Sequence, residues 1–223
     1  MGVVSGIAAF IIDILVDNLV LWKWSTAQMI IEERSLAEAI ITFMFFSVLF
    51  GGIAALMTVF LGPGAIGSGI TELMAYLNGI EYPKFISYRT LFVKIFGLSF
   101  AVAAGLCVGK EGPLAHIGAI IGHCVVYLPL NGLQKFRNAT DKRELACAGA
   151  AAGVSAAFGS PIGGSLLIYE VSSPSSFWSF DLTWKIFFSS SISTFVLSLM
   201  SALKRNETMH ITNAGLIKFG SYN

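Results

Sequence analysis

The chain has 223 residues, of which 55% are hydrophobic and only 12% are charged, and its mean hydropathy is +0.76. This balance excludes a disordered chain and an ordinary soluble domain, because 14 basic and 13 acidic residues are too few to cover a core of this size. The net charge of +1 leaves no basic excess for binding nucleic acid. We therefore expect one multi-pass membrane domain over residues 1–223, with lipid as its surroundings.

Four apolar segments are long enough to cross a hydrocarbon core of about 30 Å: 1–22, 37–61, 145–170 and 182–203. Polar connectors are expected at 23–36, 78–90, 131–144 and 204–223. Small residues four positions apart, Gly118 with Gly122 and Gly149 with Gly153, favour close packing between helices. The pattern predicts an all-α polytopic bundle.

Two further regions read as broken spans. The apolar stretches 91–108 and 113–130 are each near the lower length limit, and only the polar quartet 109–112 separates them. A second glycine-rich interruption, 62–69, precedes a short helix predicted at 71–77. Irregular backbone survives at membrane depth only where protein buries it or where it lines a polar cavity. Both breaks are therefore candidates for a transport pathway.

The most informative residue is Glu111, which lies between two glycines at the start of an apolar segment, with Pro113 expected at the first helical position. The amides and dipole of a helix N-terminus favour an anion, and Gly112 permits close approach because it lacks a Cβ atom. Glu111 can fill such a pocket with its own carboxylate or yield it to a diffusible anion, so we interpret it as plug and gate. A capping carboxylate is the alternative, although an ionisable group within a membrane segment favours function.

Ser68 and Gly69 stand in the same relation to the short helix at 71–77. They offer one hydroxyl donor and several backbone amides to a negative guest. Two helix N-termini directed at one anion would bind it without a full positive charge, which lets a permeating ion leave again. An ordinary N-terminal cap is the alternative interpretation of Ser68.

Other chemistry finds little support in the sequence. The stretch from Gly105 to Glu111 lacks the spacing, and the Ser or Thr, of a phosphate-binding loop. His116, His123 and His210 have no paired metal-ligand spacing and are expected to be hydrogen-bonded or loop residues. An intramembrane enzyme using Glu111 would lack a second catalytic group at suitable spacing. We expect neither an enzyme, nor a metal site, nor a cofactor.

Three stretches of the chain resemble the CLC family of chloride channels and proton-coupled chloride exchangers, in the family's order and spacing. They are 67–72 with 75–79, then 109–113 with His116, and then 150–170. Their flanks are similar to the eukaryotic intracellular and plant branches. The resemblance implies a homodimer in which each subunit has its own pore, built from two inverted repeats of membrane helices, many of them partial and tilted.

By this resemblance the chain is similar to the first repeat only, without the second repeat and without the cytoplasmic CBS domains of eukaryotic members. The transported ligand would be chloride, and the partner would be a second copy or a second half of a CLC protein. The alternative is a non-conducting truncated subunit. The membrane would be an endomembrane, such as the vacuolar or lysosomal one, or the plasma membrane.

The resemblance assigns the anion path to six residues: Ser68, Gly69, Ile70, Lys110, Glu111 and Gly112. Glu111 matches the gating glutamate. Ser68 matches the hydroxyl donor of the central site, and serine there is similar to the chloride-preferring rather than the nitrate-preferring members. Thr71 departs from the proline usual in the first motif but leaves Ser68 in place.

Residues 170 and 171 bear on the mode of transport. Exchangers of the family commonly carry two glutamates here, the second of which passes protons to the cytoplasm, whereas this chain has Glu170 followed by Val171. Valine cannot carry a proton, so the resemblance favours a voltage-gated channel. A proton-coupled exchanger, with Glu170 as the proton-transfer candidate, is the alternative.

Two signals conflict over orientation. The segment 134–144 holds four basic residues, which favours the cytoplasm. It also contains the glycosylation sequon Asn138-Ala139-Thr140, which would be used only on the lumenal or outer side. The sequence leaves the choice open.

Overall fold

The computed structural model describes residues 1–33, 35–80, 82, 84–127, 138–172 and 178–204. The regular structure in these ranges is entirely helical, as predicted. The eight α-helices are α1 (Gly2–Glu33), α2 (Leu36–Leu56), α3 (Ile70–Leu77), α4 (Tyr88–Ala104), α5 (Glu111–Val125), α6 (Ala139–Phe158), α7 (Pro161–Ser172) and α8 (Phe180–Lys204). One π turn (Met57–Leu61) and one 3-10 turn (Pro63–Ala65) follow α2.

Three helices are long and apolar enough to cross a membrane among the described residues: Gly2–Glu33, Leu36–Leu61 and Phe180–Lys204. They match three of the four predicted spans. The predicted connector at 23–36 is wrong over most of its length, because α1 stays helical to Glu33. The predicted connector at 204–223 lies outside the described residues except for Lys204, and so does the first half of the connector at 131–144, whose second half is helical from Ala139.

The fourth predicted span, 145–170, is wrong as a single helix. The chain breaks at Gly159, which ends α6 in the left-handed region at φ 65°. The Ser160 hydroxyl then accepts a hydrogen bond from the Gly163 amide at 3.2 Å, and Pro161 opens α7, where its missing N–H costs nothing. Continuous hydropathy hides this turn, because every residue around it is apolar or small.

The centre of the molecule is the contact between α5 and α6, two helices rich in small residues. A Cβ atom added to Gly118 would collide with the Gly149 carbonyl oxygen, and one added to Gly122 would collide with that of Leu145. One added to Gly153 would collide with the Leu114 carbonyl oxygen. Position along α6 falls as position along α5 rises, so the helices are antiparallel, and their backbones touch as the glycine spacing predicts.

Both predicted interruptions are present. Residues 62–69 contain no α-helix and lead into α3, which is only eight residues long. Residues 105–110 separate α4 from α5. The structure corrects one detail: α5 begins at Glu111, so Pro113 is its third residue and not its first. Proline is still tolerated there, because amides of the first helical turn have no intrahelical partner.

Candidate anion site

The N-terminus of α3 is open to an anion. Gly69 is its cap, with φ 84°, a conformation that glycine adopts without the steric cost of a Cβ atom. The first backbone bond of the helix runs from the Leu73 amide to the Gly69 carbonyl at 2.9 Å. The Ser68 hydroxyl oxygen accepts from the Ile70 amide at 3.4 Å, so its own proton stays available to a guest. The prediction of a hydroxyl donor at this helix end is therefore consistent with the geometry.

The N-terminus of α5 lies directly against that of α3. A Cβ atom on Gly112 would stand 2.7 Å from the Ser68 Cβ atom and 3.5 Å from the Ile70 Cδ1 atom. Glycine is therefore required at 112 for the two helix ends to meet. The first backbone bond of α5 joins the Leu114 amide to the Lys110 carbonyl at 3.0 Å. The amides of Glu111 and Gly112 precede this bond, and like all first-turn amides they lack an intrahelical acceptor.

The two charged residues at this helix end point in different directions. The Glu111 carboxylate turns back over its own helix start, with Oε2 2.6 Å from the position that a Gly109 Cβ atom would take. Lys110 turns away to α1, where its Nζ atom lies 3.1 Å from the Asp13 carboxylate, and both side chains are about 40% exposed. The Lys110 ammonium is therefore occupied outside the site, and only its backbone can contribute to anion binding.

A buried ammonium lies close to the same place. Lys94, on α4, is 3% exposed, and its Nζ atom lies 2.8 Å from His116 Nδ1. An ammonium can only donate, so Nδ1 accepts, and His116 Nε2 carries the proton that bonds the Phe85 carbonyl at 3.0 Å. This assigns a neutral histidine. No carboxylate lies within 4.0 Å of Lys94 in the described part of the chain, although Glu72 acts on its charge from farther away. The ammonium adds positive potential to this region.

His116 connects this ammonium to the α3 loop. Its ring stacks on Phe85 with centroids 4.0 Å apart. The ring also fills the space beside Gly69, where a Cβ atom would stand 2.5 Å from Nδ1. The expectation that His116 and His123 are hydrogen-bonded is confirmed, since His123 Nδ1 lies 3.0 Å from the Tyr76 hydroxyl. His210 lies outside the described residues.

A cavity of about 620 Å³ is lined by the N-terminal residues of α3 and α5 and by Lys94. Four of the six predicted chloride-binding residues line it: Ser68, Ile70, Glu111 and Gly112. Gly69 and Lys110 do not; Gly69 is buried against His116, and Lys110 faces α1. Small and apolar residues of α2 and α4 form much of the wall. The cavity therefore opens onto both helix N-termini and onto the gate candidate.

The structure places the two residues that bear on proton coupling away from this cavity. Glu170 is exposed on α7, whereas Val171 is 7% exposed and packs in the main hydrophobic core. Successive helical residues point about 100° apart. Glu170 and Val171 therefore face different surroundings, and Glu170 as a proton-transfer residue stays a prediction.

Sequence reasoning missed Lys94. The signal was present, because a lysine within the apolar stretch 91–108 is as exceptional in a membrane segment as a glutamate is. Its partner His116 lies 22 residues away, and the sequence offers no pattern that joins the two.

Comparison with known proteins identifies the family. A family model described as "Voltage gated chloride channel" matches residues 50–220. The human protein "H(+)/Cl(-) exchange transporter 7" is 35% identical over 233 aligned positions, which cover 100% of this chain and 29% of that protein. "Chloride channel protein CLC-d" of Arabidopsis thaliana is 37% identical, over 97% of this chain and 28% of the relative. The chain thus spans less than a third of the length of the curated relatives it matches.

Solved structures agree. The fold is similar to that in the crystal structure of a eukaryotic CLC transporter, with a TM-score of 0.80 and 26% identity over 89% of this chain and 36% of that one. The structure of a slow cyanobacterial Cl⁻/H⁺ antiporter gives a TM-score of 0.75 and 25% identity over 89% of this chain and 44% of that one. The predicted all-α membrane fold of the CLC type is confirmed, and the chain belongs to the voltage-gated chloride channel family.

Proposed function

We propose that this chain contributes the anion path of a chloride transport protein. One observation carries the proposal: the N-termini of α3 and α5 meet at Ser68 and Gly112, beside a cavity that Glu111 and the buried Lys94 also line. Helix N-termini and a buried ammonium favour a small anion. The path consists of the groups assigned from the sequence, with Lys110 acting through its backbone alone. Chloride is the cargo, and the mechanism needs no cofactor.

Glu111 acts as the gate in this proposal. As a carboxylate it competes with chloride for the same amides, because both are anions. Protonation removes that competition and lets the side chain leave. Chloride flux should therefore rise as the pH falls and respond to voltage.

We infer channel-like conduction rather than proton exchange from Val171. In this chain, Val171 stands where the exchangers have the second acid of their pair, and it is buried in a hydrophobic core. The alternative, proton-coupled exchange, is compatible with the human relative, an H(+)/Cl(-) exchange transporter, and with the cyanobacterial Cl⁻/H⁺ antiporter. It would need Glu170, which is exposed, to carry the proton by another route.

We propose that residues 1–223 act as one membrane domain that assembles with a second copy or with a complementary half. Several large apolar side chains of α7 and α8 are exposed, which fits lipid or a partner in the membrane: Ile162, Leu166, Tyr169, Phe180, Trp184 and Phe188. The host membrane is an endomembrane or the plasma membrane. A non-conducting assembly partner is the alternative role, and co-purification with a longer CLC protein without flux of its own would support it.

The test is chloride efflux from liposomes that contain the purified chain, with valinomycin as a shunt and a pH electrode outside. Once protonated, Glu111 no longer competes with chloride for the amides of the helix ends. Flux through the wild type should therefore fall steeply as the pH rises, whereas Glu111→Gln should conduct at every pH. The control Glu33→Gln changes an exposed residue at the end of α1 and should keep the wild-type profile.

Each outcome has a distinct meaning. Chloride flux without proton movement supports a channel, and stoichiometric proton uptake supports the exchanger instead. A Glu111→Gln variant with the wild-type pH profile would contradict the gate. Absence of flux from the folded chain would favour the assembly partner.

A further inference from the structure

A second buried lysine, Lys23, lies outside the anion site. It is on α1, in the region where the sequence predicted a polar connector, and it is only 4% exposed. Its Nζ atom donates to the Ser47 hydroxyl at 2.9 Å and to the Ala103 and Ala104 carbonyls at 3.2 and 3.3 Å. The same ammonium lies 4.0 Å from the centroid of the Phe43 ring. Lys23 thus binds α1 to both α2 and α4.

The two carbonyls have a particular position. Ala103 and Ala104 are the last two residues of α4, and Gly105 caps the helix at φ 92°. The last carbonyls of a helix carry the negative end of its dipole, and a cation there is stabilising. The ammonium therefore offsets the negative end of the α4 dipole and holds the chain in place where segment 105–110 begins.

Segment 105–110 leads directly to Glu111, and α1 holds it at both ends. At its start, Lys23 binds the carbonyls of α4. At its end, Lys110 pairs with Asp13 of α1 at 3.1 Å. That pair is about 40% exposed, and such ion pairs contribute little. The buried contacts of Lys23 are the stronger of the two restraints.

We propose that Lys23 is a positioning residue of the gate: by capping α4 from α1 it holds segment 105–110, and through it the Glu111 carboxylate, in place. This inference rests on the proposed gate role of Glu111 for its functional half. Its structural half, the restraint on segment 105–110, stands independently of transport. The two halves are therefore tested by different measurements.

The structural half is measured by a spin label on Cys107, which is exposed within this segment. The label is attached to the full chain in lipid nanodiscs, with Cys124 and Cys147 replaced by alanine. Lys23→Met removes the charge and the donors while keeping a similar length, and we expect the immobilised component of the spectrum to be lost. Lys23→Arg keeps a cation and donors and should restore it. The control is Lys204→Met, which removes the exposed lysine at the end of α8. Lys204 pairs with Asp17 of α1, and its loss should leave the spectrum unchanged.

The functional half is measured as the pH profile of chloride efflux. In the wild-type background, Lys23→Met should flatten the pH profile of chloride efflux. In the Glu111→Gln background it should cause no further change, because that variant has no gating carboxylate left to position. Equal losses of flux in both backgrounds would mean that Lys23 supports only the fold, and would overturn the gate role. A wild-type profile for Glu111→Gln itself would refute the proposed gate but leave the spectral result standing.

The spectral experiment decides the matter even without flux. An unchanged spectrum in folded Lys23→Met would overturn the proposal, as would an equal loss of immobilisation in Lys204→Met. If Lys23→Met does not fold, Ser47→Ala takes its place, because it removes one acceptor of the ammonium and leaves the charge. A partial loss of the immobilised component would then support the proposal, and no loss would contradict it.

Discussion

Glycine at position 112 makes the proposed anion site possible, because it lets two helix ends touch. Its Cα atom faces the Ser68 side chain so closely that any Cβ atom would stand 2.7 Å from the Ser68 Cβ atom. The absence of one methyl group thus brings the hydroxyl donor of α3 beside the free amides of α5. The chemistry of the site depends on this approach as much as on its polar groups.

Gly112→Ala should weaken chloride binding and lower chloride flux, because the added methyl group pushes Ser68 away from α5 while every amide is retained. Chloride flux and the apparent affinity for chloride measure the effect. The control Gly52→Ala adds a methyl group to a helical glycine with nothing within 4 Å and should leave both unchanged. An unaltered affinity in folded Gly112→Ala would mean that Ser68 does not share an anion with α5.

The sequence predicts the identity of the site residues better than their contacts. Ser68 and Glu111 stand out because each precedes or begins a helix at a glycine-rich break, which is a local pattern. Lys23 binds carbonyls 80 and 81 positions away, and Lys94 binds His116 across 22. No local pattern joins such pairs, so only the folded chain reveals the contacts of the two buried lysines.

At the scale of helices, the small-residue contact between α5 and α6 holds the site's second helix in place. Predictions from spacing succeeded here, because glycines four positions apart form one face of a helix. Prediction from hydropathy failed at 145–170, since Gly159 and Ser160 turn the chain with a single small polar side chain. Hydropathy is averaged over a window of residues, so a turn made by the partly exposed residues Gly159, Ser160 and Pro161 leaves little mark on it.

Gly118→Ala should destabilise the fold, because the new Cβ atom would collide with the Gly149 carbonyl oxygen. Overpacking of this kind costs about 1–3 kcal/mol, which can be measured as the free energy of unfolding in detergent micelles. Gly52→Ala is again the matched control, and replacing an unpacked helical glycine should be neutral or stabilising by about 0.5–1 kcal/mol. Equal stability of the two variants would contradict the close contact of α5 with α6.

For the molecule as a whole, antiparallel packing separates the gate from the basic segment. The 15 residues of α5 extend for about 22 Å, with Glu111 at one end. The start of α6, with Lys142 and Arg143, lies toward the other end, because Leu145 packs on Gly122. Positive charge favours the cytoplasm, so we expect the gate to face the lumenal or outer side.

This orientation predicts two observations in the native membrane. Cys107, exposed beside the gate, should react with an impermeant maleimide added on the non-cytoplasmic side. Asn138, exposed at the start of α6, should carry no glycan, so its sequon would be unused. A shift in mobility on glycosidase treatment that Asn138→Gln abolishes would reverse the orientation.

The proposed anion site is tested most directly by a chloride titration of the ¹⁵N-labelled chain in micelles. Chloride replaces gluconate, and the backbone amide signals are followed. We expect saturable shifts centred on Gly69, Ile70 and Gly112, the backbone of the two helix ends, and tighter binding in Glu111→Gln because the competing carboxylate is gone. Shifts spread evenly over the chain, or unaffected by Glu111→Gln, would contradict an anion site gated by this residue.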